Sequence, residues 1–428
     1  MDIKQGAAER PLPSGQERAQ EDLMRGSTMP DLGARNEMVI LQAIRLRPEG
    51  ISQSEVVRRS GLSRQAVSQI VRRLIDRGLV QTHGTRVNGR GKPSTVLGIV
   101  PGSQLTAGVH LDPAQLTVVI VDLFAQVIAK RALEPPGEDP ADDVVRIADA
   151  LEDMLADLRE AGMSAADGGD VAGALAGIGI AAPAGLDAEA GILVDPPWLP
   201  GWRHEPIVSE IETATGLPAV LDKDTNAALT AEKWAGSYPQ EETVLYIYVG
   251  AGVGSAVAGD GTVHRGSTTQ AGEIGHLPTG LDGPMCQCGR RACLGLYTDA
   301  SGILQAAREQ GVIADDPDAL VADALSEVVA CARAGDAAAA ELVAGHGRAL
   351  GEALRTLIGI HDPHRIIIGG PYWGLLEEAS LPALRERALR AGGGDHGVLI
   401  TSSTLGDDVG AIGAASLFLE RELSPAGR

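Results

Sequence analysis

Apolar and polar positions change period several times along the 428-residue chain. The first 34 residues are polar, interrupted by Gly and Pro, and without period, which predicts a disordered tail over residues 1–34. From Asn36 to Arg47 apolar residues recur at helical spacing (Met38, Val39, Leu41, Ile44), and Pro48 stops the run. Ser52, three residues ahead of Glu55, predicts a capped second helix to about Ser60. After the Gly61-Leu62 turn, Ser63 caps a third helix over residues 64–77. Its apolar face is Val67, Ile70, Val71, Leu74 and Ile75, and Gly78 closes it. Strands at Leu79-Val80 and Ser94–Ile99 enclose the loop Val87-Asn88-Gly89-Arg90-Gly91-Lys92-Pro93.

Beyond Pro101-Gly102 the period drops to that of strands. Three consecutive strands are predicted over residues 105–111, 115–122 and 126–131, antiparallel with tight turns. A helix follows over 144–159, then a buried strand over 176–181, a strand over 219–221 and a helix over 226–234. A strand over 244–249, a helix over 341–359, a strand over 365–368 and a last helix over 408–419 complete the pattern. Strands in groups followed by helices, twice over, predict two α/β lobes with a cleft between them.

Composition adds limits. At 44% apolar and 22% charged, the chain has the balance of a packed soluble protein. The uncharged runs Val171 to Leu186 and Thr243 to Gly259 are short for a membrane span and contain several glycines. No apolar signal core opens the chain, so the expectation is a cytoplasmic protein with no membrane partner.

Charge is unevenly placed. The net charge of −21 argues against a nucleic-acid partner only if it is spread evenly. Residues 35–99 carry twelve basic and four acidic side chains, a local +8 on an otherwise acidic chain. Three short helices with a two-stranded basic wing make a winged helix-turn-helix over residues 35–99, and the charge points to double-stranded DNA. Ser63, Arg64, Gln65 and Ser68 stand near the N-terminus of the third helix, where side chains enter a major groove. Gln65 suits adenine, and Arg64 suits guanine or phosphate. The glycines around Arg90 let the wing approach the duplex, so Arg90 and Lys92 are candidate minor-groove and phosphate contacts.

Three of the four cysteines fall within eight residues. With His276 they form His-x9-Cys-x-Cys-x4-Cys from His276, Cys286, Cys288 and Cys293. A Cys3His set suits tetrahedral Zn2+, and four protein ligands make the site structural rather than catalytic.

The stretch Ala271-Gly272-Glu273-Ile274-Gly275-His276, followed by Cys286-Gln287-Cys288-Gly289-Arg290-Arg291-Ala292-Cys293-Leu294, resembles the signature of the ROK family of repressors and sugar kinases. The resemblance runs from Arg35 to about Leu419 and includes the winged helix that the repressor branch carries. It implies a sugar-kinase/actin/Hsp70-like fold of two RNase-H-like lobes, zinc near a sugar site, and a homodimer or homotetramer. The implied division is a small lobe over 103–222 plus 408–428 and a large lobe over 223–407.

The resemblance also exposes departures. The family's first phosphate loop, Asp-x-Gly-Gly-Thr, is matched here by His110-Leu111-Asp112-Pro113-Ala114, which retains no glycine and places Pro where an amide is needed. The second loop, Gly250-Ala251-Gly252-Val253-Gly254-Ser255, keeps its glycines and equally suits a tight hairpin. Gly369-Gly370 resembles the nucleoside end of the cleft. Asp224 matches the family's general base, with a helix N-cap as its plain alternative, and Asn226, Glu273 and His276 match sugar-contacting positions. Lys223 stands where the family has Asn and Gly295 where it has Glu; an ammonium at 223 suits an anionic ligand or a partner in Asp224. Trp198 and Trp202 suit either stacking on a sugar or packing of a Pro-rich loop.

The expectation is a repressor of carbohydrate-metabolism genes, not an enzyme. It binds an inverted repeat as a two-fold oligomer and is gated by a sugar or sugar-phosphate effector. The alternatives are an ATP-dependent sugar kinase with a DNA-binding appendage and a ligand-independent regulator.

Overall fold

The computed structural model describes residues 29–86, 94–165, 168–316, 319–389 and 397–424. The N-terminal unit holds α1 (Met29–Arg45), β1 (Ile51–Ser52), α2 (Gln53–Ser60), α3 (Arg64–Asp76), β2 (Val80–Arg86) and β3 (Ser94–Ile99). Its caps are those the sequence announces. Ser52 Oγ accepts from Glu55 N, Ser63 Oγ accepts from Ala66 N, and Gly61 ends α2 in the left-handed region.

Two expectations need correction. Residues 29–34 belong to α1 rather than to a tail, with Pro30 in the first turn, where its missing N–H costs nothing. The wing sheet has three strands rather than two, because Ile51 and Ser52 pair antiparallel with Leu97 and Val96. The loop with Arg90 and Lys92 lies outside the described residues.

Two five-stranded sheets follow. The first is built from β4 (Leu105–Asp112), β5 (Gln115–Val121), β6 (Val127–Leu133), β7 (Leu175–Ala182) and β10 (Ala219–Lys223), ordered β10-β7-β4-β5-β6. Helices α4 (Pro140–Glu160) and α5 (Ile207–Thr215) and the small hairpin β8 (Leu186–Asp187) and β9 (Ile192–Leu193) belong to this half. Next comes α6 (Asp224–Ala235). The second sheet uses β11 (Val244–Val249), β12 (Val253–Gly259), β13 (Thr262–Val263), β14 (Arg365–Gly369) and β15 (Leu399–Ser402), ordered β13-β12-β11-β14-β15. Its helices are α7 (Gly295–Thr298), α8 (Ala300–Glu309), α9 (Val321–Arg333), α10 (Ala337–His361) and α11 (Trp373–Ala388). The last element is α12 (Val409–Leu423). In each sheet an antiparallel meander is extended by two parallel strands, so one topology occurs twice.

Helices α6 and α12 join the parts. A Cβ on Gly179 would lie 1.6 Å from Ala414 O, so only glycine lets α12 lie directly on β7. Gly413 likewise lets α12 touch the backbone of α6 at Ala227. Helix α6 is buried from Thr225 to Trp234. Ala228 and Leu229 pack with Tyr246 and Val244 of the second sheet, while Ala231 and Trp234 pack with Ile40, Leu41 and Ile44 of α1. Strand β5 serves two cores by its period of two: Leu116, Val118 and Ile120 join the core that holds α4, and Val119 and Val121 join the core shared by α12 and the winged helix.

Candidate functional site

The third helix, α3, exposes Arg64 and Gln65, with Ser68 half-buried, opposite the buried face of Val67, Ile70, Val71 and Leu74. Ser63 is exposed, but its hydroxyl oxygen is engaged as the N-cap. Gln69 and Arg72 continue the same exposed face at i+4 and i+7 from Gln65; sequence reading missed them, although helical spacing alone places them there. Arg73 and Arg77 instead hold Glu37 of α1.

Arg45 marks the junction with the lobes. It is buried, and its guanidinium lies 3.9 Å from the centroid of the Trp234 ring. It also donates to Trp234 O and to Gln42 Oε1, the latter at 2.9 Å. Burial lowers its pKa to about 10, so it stays charged at neutral pH. Trp234 Nε1 donates to Leu123 O at 3.0 Å, tying the C-terminal end of α6 to the first lobe as well.

The N-terminal end of α6 opens on the cleft. Asp224 lines a cavity together with Asp112, Pro113, Trp198, Thr225, Tyr248, Gly252 and Glu273. Asp224 is the first residue of α6, and its Oδ1 accepts from Thr225 N at 2.6 Å, so it is not the N-cap. Burial pushes its pKa up to about 7, with the nearby Lys223 ammonium opposing and Glu273 adding to the shift.

Lys223 is fully buried, and its Nζ donates to Glu273 Oε1 at 3.0 Å and to Ala271 O. The ammonium therefore pairs with Glu273, and not with Asp224 as one sequence reading had it. Asn226 is corrected too. Its Nδ2 donates to Asp222 Oδ1 at 2.8 Å, and Asp222 Oδ2 accepts from Arg265 Nε at 2.6 Å. Asn226 thus belongs to a buried network behind the cleft and is not among its lining residues. The two tryptophans also part. Trp198 is exposed on the cleft, whereas Trp202 is wholly buried in the first lobe with Nε1 donating to Gly137 O at 3.0 Å.

The turn after β4 is closed on itself. Asp112 Oδ1 accepts from Ala114 N at 2.8 Å, and Pro113 has no N–H to offer. His110 is buried beneath Gly410, 3.4 Å from Tyr248 Oη through Nε2, and burial lowers its pKa. The Gly250–Gly252 stretch forms the β11–β12 hairpin loop, with Gly250 N donating to Gly252 O at 3.0 Å.

Three residues after Glu273, His276 meets the cysteines. One ligand atom from each of His276, Cys286, Cys288 and Cys293 lies within 4.8 Å of all the others. Cys286 Sγ is 3.5 Å from His276 Nδ1, and Cys288 Sγ is 3.5 Å from Cys293 Sγ. A tetrahedral ion with metal–sulfur bonds of about 2.3 Å has ligand–ligand edges of roughly 3.5 to 3.8 Å, so the four atoms are spaced to hold one metal ion. Gly289, at φ 85°, makes the turn between Cys288 and Cys293. His276 is exposed and is committed to this cluster through Nδ1 rather than lining the cavity.

A winged helix fused through two buried helices to a twice-repeated α/β lobe, with a polar cleft and a His/Cys cluster beside it, defines a two-lobed kinase-like chain that carries a DNA-binding module. Residues 106–421 match the ROK family and residues 32–91 match the MarR family, and the chain belongs to the ROK family. It is 31% identical over 271 residues to a glucokinase of Halalkalibacterium halodurans, covering 58% of this chain and 78% of that one. It is 25% identical over 342 residues to a putative xylose repressor of Caldicellulosiruptor sp., covering 78% and 82%. The crystal structure of a ROK family transcriptional regulator, described as a homolog of the E. coli MLC protein, superposes with a TM-score of 0.74 at 22% identity, covering 92% of this chain and 98% of that one. Among the described residues no helix is long and apolar enough to cross a membrane.

Proposed function

We propose that this protein is a DNA-binding transcriptional regulator, a repressor of carbohydrate-metabolism genes, whose operator affinity is set by a sugar bound in the inter-lobe cleft. The observation that carries the reading is helix α6. It starts at Asp224 on the cleft and ends at Trp234 beneath Arg45 of the winged helix. Twelve residues span about 18 Å, so one rigid element touches both sites. A ligand that favours one arrangement of the lobes shifts α6 and α12 and carries the docked winged helix with them. The likeness to a putative xylose repressor supports the same reading.

In this reading Ser63, Arg64, Gln65 and Ser68 approach the operator from α3, with Arg90 and Lys92 of the wing as further contacts. A homodimer or homotetramer supplies the two-fold symmetry that an inverted repeat requires. Asp224 and Glu273 bind sugar hydroxyls. Zinc, held by His276, Cys286, Cys288 and Cys293, is structural and fixes the loop that follows Glu273. The protein acts in the cytoplasm. Phosphoryl transfer is lost, because the turn at Asp112 to Ala114 spends its amide on Asp112 and offers none to a phosphate.

Fluorescence anisotropy on the DNA upstream of the protein's own gene, at fixed salt and with a sugar panel, tests the reading. Specific binding that one sugar changes at least severalfold is expected. Binding no tighter than to random DNA, or ADP release from ATP with any sugar in a coupled assay, would overturn it.

A further inference from the structure

One carboxylate stands at the cleft without an assigned role. Asp299 immediately precedes α8, yet its side chain makes no capping bond to that helix. Its carboxyl group lies instead towards the backbone N–H of Val253, at the end of the β11–β12 turn. A Cβ on Gly252 would lie 3.8 Å from Asp299 Oδ1 and 3.6 Å from the Trp198 ring. Asp299 and Trp198 thus flank the same cleft-lining glycine. A Cβ on Gly295 would lie 2.6 Å from Asp299 Oδ2. The space a side chain at 295 would enter is already filled by this carboxyl group. Thr225 points to a ligand independently. It lines the cleft, is 2% exposed, and its hydroxyl has no hydrogen-bond partner.

We propose that Asp299 joins Asp224 and Glu273 as an effector-contacting carboxylate, and that the cleft therefore takes an unphosphorylated sugar in preference to its phosphate ester. The proposal rests on the effector reading above and narrows it. Asp112, Asp224 and Glu273 line the cavity, and Asp299 stands at its edge. Among the described residues no Arg or Lys lines the cavity, and the adjacent Lys223 ammonium is already taken by Glu273 and Ala271 O. Two of the turn amides are engaged, Ala114 N by Asp112 and Gly250 N by Gly252 O. A phosphate dianion would face carboxylates in a half-buried site with no cation among its described lining residues to offset the repulsion. Sugar hydroxyls fit the same groups, donating to the carboxylates and pairing with Thr225, while Trp198 offers a face to the ring. Burial holds the Asp299 carboxyl up at about 7, as it does Asp224, so each group exchanges a donor and an acceptor form near neutral pH.

The experiment is isothermal titration of the full-length, metal-loaded protein with xylose, glucose, glucosamine and N-acetylglucosamine, each beside its phosphate ester. At least one free sugar is expected to bind, with its ester weaker by about tenfold or more, and Asp299→Asn should weaken that sugar by a similar factor. Gly295→Glu placed in an Asp299→Ser background should recover binding, since it returns a carboxylate to the same space. An ester that binds as tightly as its parent sugar overturns the proposal, as does Asp299→Asn with wild-type affinity. If an ester binds and Asp224→Asn abolishes it, the selectivity fails while the effector reading stands; if neither class binds, both fail. Should Asp299→Asn unfold by circular dichroism, the wild-type comparison of sugar with ester decides alone.

Discussion

The two interfaces that the lobes make are opposite in kind. The junction with the winged helix is a continuous apolar core. Ile40, Leu41 and Ile44 of α1 share one cluster with Val119 and Val121 of β5, Ala231 and Trp234 of α6, and Ile412 and Leu419 of α12. The buried cation Arg45 bonds Gln42 Oε1 and Trp234 O and lies over the Trp234 ring. The cleft between the lobes is lined by carboxylates, a hydroxyl without a partner, and an exposed Trp198. Burying apolar area stabilises without regard to direction, whereas polar cleft walls change partners at little net cost. The difference teaches where motion belongs. In the proposed reading the DNA-binding unit moves with α6 and α12, and the cleft is the joint.

The strongest way to break that comparison is Trp234→Ala. It removes the ring under Arg45 and the bond to Leu123 O, and should cost about 3–5 kcal/mol in urea unfolding. A loss under about 1 kcal/mol would show that the junction is not one core. Next is the metal. Stripping it with a chelator, or Cys288→Ser, should weaken sugar binding by roughly 10- to 100-fold, because the cluster positions the segment after Glu273. Titration beside a metal assay checks this, and normal sugar binding by metal-free protein would contradict it. On the DNA side Gln65→Ala should cost about 1–3 kcal/mol on the operator and relax the preference for one base, read by anisotropy. Arg72→Ala should instead weaken all sequences alike and lower the salt slope by about one.

A further effect is on pH. Asp224 and Asp299 have folded pKa values raised to about 7 by burial. Between the unfolded value near 4 and about 7 the folded state binds more protons, so stability falls as pH rises through that window and levels off above it. Melting temperatures of the wild type should fall from pH 5 to 8, and less so for Asp224→Asn.

Local chemistry made part of this legible. Ser52, Gly61 and Ser63 mark helix ends by side chain or by left-handed φ, and those ends stand where the sequence puts them. The His-x9-Cys-x-Cys-x4-Cys spacing brings its four ligand atoms together. What was hidden depends on contacts distant in sequence. The strand Ile51–Ser52 exists only through its pairing with Val96 and Leu97. Asn226 is drawn behind the cleft by Asp222 and Arg265, which no spacing rule connects. Trp198 and Trp202 share one loop, yet one is exposed on the cleft and the other sits in the core. Asp299 fills the space at Gly295 from one helical turn along the chain, and no motif contains it.

The central claim is that α6 couples cleft to operator through Arg45. Coupling is reciprocal, so the operator must change sugar affinity by the factor by which sugar changes operator affinity. The direct measurement is that factor, from sugar titrations with and without operator DNA, in the wild type and in Arg45→Met. The account predicts a severalfold factor in the wild type that shrinks towards one in Arg45→Met. An unchanged factor in the variant would contradict it.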